Sequence, residues 1–207
     1  MDNIDALKDL RDIRSMMERS SRFQAVNGWG VLAAGVMALA AAWAANMLFN
    51  GGNTTLYGNT DFLWAHKTQI AVLGSLLLVV VCGLTVFFSS MWMARHKNIP
   101  FAFDATMRRL LVAFGVPLLA GGLLCLALVL QGHYGLTSSI MLIFYGLALV
   151  ACHHFTHPSL GLLGYAELIL GLADCFVSTR ALLFWALGFG VLHVVFGICL
   201  VVKSHRA

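Results

Sequence analysis

The sequence predicts an all-α fold: a polytopic transmembrane helical bundle of six spans, preceded by an amphipathic helix at the N-terminus. Three observations carry that prediction. The 207 residues are 60% hydrophobic and only 11% charged, whereas a soluble domain carries roughly 25% charged residues. Six apolar runs, at about 25–49, 68–93, 109–131, 136–155, 159–178 and 181–202, are each long enough for a span of about 20 residues. The basic residues between those runs are distributed unevenly, as topology demands.

The first element is "MDNIDALKDLRDIRSMMERSSRF", residues 1–23. Ile4, Leu7, Leu10, Ile13 and Met17 recur at three- and four-residue steps, an amphipathic helical pattern. Asp2, Asp5 and Asp9 come early and Arg19 and Arg22 late, which suits the helix dipole. Lys8–Asp12, Arg14–Glu18 and Glu18–Arg22 have ion-pair spacing. Acids and bases balance here, so the segment is a poor polybasic lipid anchor. It can lie at the interface, set topology as a polar leader, or pack on a protein partner. Its polarity does not match a cleavable signal peptide.

Small residues recur along the first span at Gly30, Ala34, Ala38 and Ala42, a stripe that lets another helix approach closely. The partner helix can belong to this chain or to a second copy, so a homo-oligomer stays open. The polar loop "NGGNTTLYGNTDFLWAHK" follows, with Asn53 in a weak glycosylation-acceptor pattern. In the third span Pro117 removes a backbone hydrogen bond among Gly115, Gly121 and Gly122, which predicts a kink and allows a broken helix.

The fourth span ends in "CHHFTHP". His153 and His157 have the i, i+4 spacing that can chelate a metal, with Cys152 and His154 beside them. The HExxH context is missing, and Pro158 ends the helix, so the imidazoles can equally cap it or sit at headgroup level. No cofactor is predicted; a metal ion here, or haem held between helices without a CxxCH motif, is a minor reading.

The fifth span holds "GYAELILG", Gly164 to Gly171, with Glu167 inside. The sixth holds "GVLHVVFG", Gly190 to Gly197, with His193 inside. Glu167 stands about eight residues from the start of its span, and His193 about nine from the end of its own. At about 1.5 Å per residue both lie roughly 12–14 Å below the same surface. A charged carboxylate in hydrocarbon costs at least a few kcal/mol. The two groups are therefore expected to meet, with the glycines permitting close approach of the fifth and sixth helices. Such a pair either locks two helices together or titrates on a proton or cation path. Asp174 lies two turns beyond Glu167 on nearly the same face, within reach of Arg180, His133 or a wet vestibule.

With six spans, one side carries Lys8, Arg11, Arg14, Arg19, Arg22, Arg95, Lys97, Arg108, Arg109, Lys203 and Arg206, and the other only Lys67 and Arg180. That bias puts both termini in the cytoplasm. The net charge of +4 reflects this topology, and no nucleic-acid partner is expected. Cys82, Cys125, Cys152, Cys175 and Cys199 sit in or beside apolar runs and read as small apolar filler. No nucleophile constellation, Walker loop or dinucleotide fingerprint is present, so an enzyme is not expected.

"IRSMMERSSRF" before a glycine/alanine-rich span, "GYAELILG" and "LLFWALGFGVLHVVFGI" resemble an uncharacterised family of small six-span bacterial (Bacteroidetes-type) integral membrane proteins. That resemblance implies a bacterial inner-membrane protein and brings no catalytic residue with it. The family's connection before the fifth span is more charged than "HHFTHPS", which sets the histidine cluster apart from the shared pattern. Two functions follow from the whole sequence. One is a small proton- or cation-linked transport or channel module using Glu167, Asp174 and His193. The other is a membrane sensor or accessory subunit whose N-terminal helix and Arg95–Arg109 loop contact a partner at the cytoplasmic face.

Overall fold

The computed structural model describes residues 27–50, 67–96, 105–156, 159–177 and 180–206. The amphipathic segment 1–23, the Asn53 loop, most of the Arg95–Arg109 loop and His157 lie outside the described residues.

Six helices are long and apolar enough to cross a membrane, and no strand occurs among the described residues. They are Gly28–Asn50, Lys67–His96, Ala105–Leu130, Thr137–Cys152, Ser159–Phe176 and a last helix over 181–206. Short 3-10 turns, Tyr134–Leu136 and His153–Phe155, flank the fourth helix. In lipid every backbone polar group must be satisfied within the segment, so apolar runs of this length become helices.

Asn27 starts the first helix. Its Oδ1 accepts the Trp29 backbone N–H at 3.1 Å, and its Nδ2 donates to the Ser89 hydroxyl at 2.7 Å. One side chain thus caps the first span, supplying an orphan N–H with an acceptor, and ties it to the second.

The first, fourth, fifth and sixth helices make the interior. The first packs on the second and sixth, and the fourth on the third, the fifth and the start of the sixth. The second and third lie at the margin and expose apolar rows, among them Leu73, Leu77 and Leu84, and Val112, Val116 and Leu123. In water such rows would be a liability; in a bilayer they are the lipid-facing surface.

Glycines set the closest approaches. A Cβ on Gly146 would lie 2.7 Å from the Gly164 carbonyl oxygen, and one on Gly171 would lie 2.9 Å from Leu142 Cβ. A Cβ on Gly197 would lie 2.7 Å from the Leu32 nitrogen, and one on Gly190 would lie 2.4 Å from Leu39 Cδ2. Gly164 and Gly171 therefore face the fourth helix, and Gly190 and Gly197 face the first. This corrects the expectation that these four glycines bring the fifth and sixth helices together. A seven-residue spacing fixes which residues share a face, not which neighbour covers it.

The small-residue stripe of the first helix packs within the same chain. Gly30 meets Ser89 of the second helix, the Ala34 carbonyl stands 4.0 Å from Cys82 Sγ, and Ala38 and Ala42 are buried. The third helix runs unbroken through Pro117, so the broken-helix alternative is corrected as well. Neighbouring turns of a membrane helix absorb the missing hydrogen bond.

Candidate functional site

The sixth helix is not uniform. Ala181–Trp185 is α-helical, Ala186–Leu192 is a π-helical stretch, and His193–Arg206 is α-helical again. A π stretch is rare and costs regular hydrogen bonding, and such bulges frequently mark functional sites. Here it turns the Gly188 carbonyl toward the ring of His193, with Nδ1 3.0 Å from the oxygen. A carbonyl only accepts, so Nδ1 carries a proton. The other ring nitrogen, Nε2, is 2.8 Å from the Tyr145 hydroxyl of the fourth helix. With the imidazole neutral, that hydroxyl donates and Nε2 accepts.

Glu167 completes the group. Its Oε1 lies 3.4 Å from His193 Nδ1, while neither of its carboxyl oxygens has a hydrogen-bond partner among the described residues. Glu167 is 0% exposed and His193 6% exposed. Gly188 makes the space: a Cβ there would lie 2.5 Å from Glu167 Oε2 and 2.3 Å from Leu142 Cδ2. The glycine that admits the carboxyl is thus in the π stretch, outside the heptad-spaced set.

Aromatic rings close the surroundings. Tyr145 stands edge-on to Phe114 at 6.2 Å and against Phe189 at 5.1 Å, and Phe189 stacks with His193 at 6.2 Å. Trp185 abuts Phe189 at 5.3 Å. Rings hold the imidazole in place without offering Glu167 a hydrogen bond.

Asp174 is also 0% exposed, but its company differs. Its Oδ2 accepts from the hydroxyls of Ser138 and Ser139, the latter at 2.8 Å. Its Oδ1 has no partner among the described residues. Arg180 and His133, the partners the sequence offers, are exposed and do not take that role. The serines do so because they occupy the first turn of the fourth helix, level with the last turn of the fifth, in an antiparallel pair.

The histidine cluster is engaged locally. His153 Nδ1 donates to the Val150 carbonyl, Cys152 Sγ donates to the Leu149 carbonyl at 3.4 Å, and the rings of His153 and His154 lie 3.8 Å apart. Among the described residues no three or more His, Cys, Asp or Glu side chains converge as metal ligands. His157, the fourth candidate, lies outside them.

Sequence reasoning brought Glu167 and His193 to one depth, and the structure places them side by side. It missed Tyr145, Gly188, Ser138 and Ser139. Tyr145 is a hydroxyl midway along the apolar fourth span, and "GFG", residues 188–190, leads into the histidine segment; both were readable signals. No family, curated protein or solved structure was found to match this chain.

Proposed function

We propose that this chain is a proton-linked membrane transport or channel module whose working group is Tyr145, His193 and Glu167. The observation that carries the reading is the Glu167 carboxyl: fully buried, without a hydrogen-bond partner among the described residues, and 3.4 Å from His193 Nδ1. Buried polar atoms are nearly always satisfied, and ionisable groups within membranes are expensive and generally functional.

The arrangement supports a relay through the ring. A proton reaches Nε2 from the Tyr145 side and makes the imidazolium. The Nδ1 proton then passes to a Glu167 oxygen, leaving a neutral ring protonated at Nε2 and a neutral carboxylic acid. The relay starts from ionised Glu167 beside a neutral ring, passes through an imidazolium–carboxylate pair and ends with both groups neutral, so one proton is taken up and held on Glu167 until it is released from that carboxyl. The π stretch holds Nδ1 in its starting tautomer through the Gly188 carbonyl.

The membrane is taken to be a bacterial inner membrane with both termini cytoplasmic, on the charge bias and the resemblance to small six-span bacterial proteins. The test is proton flux into proteoliposomes under an imposed potential. Wild-type protein should conduct, and Glu167→Gln should abolish the flux. No flux from the wild type, or equal flux from the variant, removes the reading.

A second reading is favoured by the full burial of both acids: a sensor or accessory subunit in which the polar group locks the bundle and a partner binds at the cytoplasmic face. It expects no flux, and a partner captured by the wild-type chain but lost when residues 1–20 are deleted. Capture that survives the deletion rules that segment out as the contact.

A further inference from the structure

We infer that the π-helical stretch Ala186–Leu192 is a two-state switch: its Gly188 carbonyl holds the His193 ring while Nδ1 carries a proton, and lets go once that proton has passed to Glu167. The inference rests on the relay proposed above and adds a moving part to it.

One N–H faces two acceptors. His193 Nδ1 is 3.0 Å from the Gly188 oxygen and 3.4 Å from Glu167 Oε1. A carbonyl only accepts, so it tolerates a single tautomer of the ring. After transfer to Glu167, the Nδ1 lone pair would point at the Gly188 oxygen with no proton between them. Two buried acceptors would then stand face to face, each without its hydrogen bond. The other end of the ring has no such conflict. The Tyr145 hydroxyl, 2.8 Å from Nε2, donates to a bare nitrogen and accepts from a protonated one. The change of tautomer is therefore felt at Gly188 and not at Tyr145.

The ring is the fixed member and the carbonyl the free one. His193 is buried, tied to Tyr145 and stacked on Phe189. The carbonyl belongs to a π stretch, a local departure from α-helical hydrogen bonding. Glycines at 188 and 190 widen the backbone angles open to that stretch. It cannot slide sideways, because Leu142 fills the space beside Gly188 and Leu39 the space beside Gly190. Rotation of the Gly188–Phe189 peptide is the movement left to it.

The titratable side chains on the ring are Glu167 of the fifth helix and Tyr145 of the fourth. The first helix packs along the sixth and has no ionisable side chain over Gly28–Asn50, and the third brings Phe114 to Tyr145. The protonation of this one group therefore sets the switch. The stretch joins Ala181–Trp185 to His193–Arg206, so a change in its pitch turns the first part of the sixth helix against the part that carries His193. Occupancy of Glu167 by a proton is thereby coupled to the end of the bundle that the charge bias assigns to the extracytoplasmic side.

Gly188–Phe189 is the only Gly–Phe step in the chain, so carbonyl-labelled glycine combined with nitrogen-labelled phenylalanine marks that one peptide for solid-state NMR. The full chain in lipid bilayers, also carrying nitrogen-labelled histidine, is read across a pH series, with His193 identified by the signals lost in His193→Gln. At high pH the Gly188 carbonyl should give one resonance, with Nδ1 protonated. On acidification a second, shifted resonance should grow in step with the His193 population bare at Nδ1. Glu167→Gln cannot take the proton and should keep the first resonance alone. A single carbonyl resonance at every pH in the wild type, or a second one that appears equally in Glu167→Gln, overturns the inference. The wild-type measurement stands even if a variant does not fold. Proton flux with an unmoved carbonyl removes the switch and leaves the relay; a carbonyl that follows the ring without flux removes the relay and leaves the coupling.

Discussion

Glu167 and Asp174 are carboxylic acids on one face of one helix, about 10 Å apart along its axis, and both are fully buried. Asp174 rests on two serine hydroxyls. Glu167 rests on none among the described residues, and has the edge of an imidazole and the backbone of Gly188 beside it. Burial alone therefore does not define what an intramembrane acid does. Neighbouring helices supply Asp174 with two hydroxyl donors and Glu167 with none among the described residues.

The sharpest way to break this contrast is to remove each acid and compare signs. Asp174→Ala strands two buried hydroxyls and should lower unfolding stability by about 1–3 kcal/mol. Glu167→Met removes an unsatisfied carboxyl while keeping its volume, and should leave stability unchanged or raise it by about 1–3 kcal/mol. Unfolding in mixed micelles measures both. Two losses of equal size would erase the distinction between the acids.

Gly188→Ala tests what makes room for Glu167. Its methyl would run into Leu142 and the Glu167 carboxyl, and overpacking of this kind costs about 1–3 kcal/mol. The same change in a Glu167→Ala background should cost measurably less, because one of the two obstructing groups is gone. An equal cost in both backgrounds would show that the carboxyl does not press on Gly188.

Tyr145→Phe deletes the hydroxyl at His193 Nε2. Hydrogen bonds between membrane helices average about 0.6 kcal/mol and reach about 1.7, so the stability loss should fall in that interval. Proton flux should fall far more than stability does. The smallest effect belongs to the margin: Leu77 is 65% exposed on the second helix, and Leu77→Ala should change stability by no more than about 0.5 kcal/mol. A larger loss would mean that the second helix buries this face against another protein.

The fold was legible because hydrocarbon leaves the backbone few options. Runs of apolar residues gave the six helices to within a few positions at most ends. The third helix, which begins at Ala105 rather than near residue 109, shows the usual error: Arg108 and Arg109 look like an ending in sequence, yet long basic side chains reach the interface from inside a helix. The pairing of Glu167 with His193 was legible because counting residues from each surface measures depth. What surrounds the pair was not. Depth does not give azimuth, so Gly164, Gly171, Gly190 and Gly197 were assigned to the wrong neighbours. A helix of constant pitch also cannot foresee a π stretch, which rotates everything after residue 186 and brings the Gly188 carbonyl to the ring. Ser138 and Ser139 sat at the level of Asp174 all along; hydroxyls in a first turn are easily read as local capping alone.

The most direct test of proton exchange between Glu167 and His193 is infrared difference spectroscopy of the reconstituted protein across a pH step. The carboxylic-acid band that disappears in Glu167→Gln should shift in His193→Gln and stay in place in Asp174→Asn. A Glu167 band indifferent to His193, or no protonated band at any pH, would contradict the account.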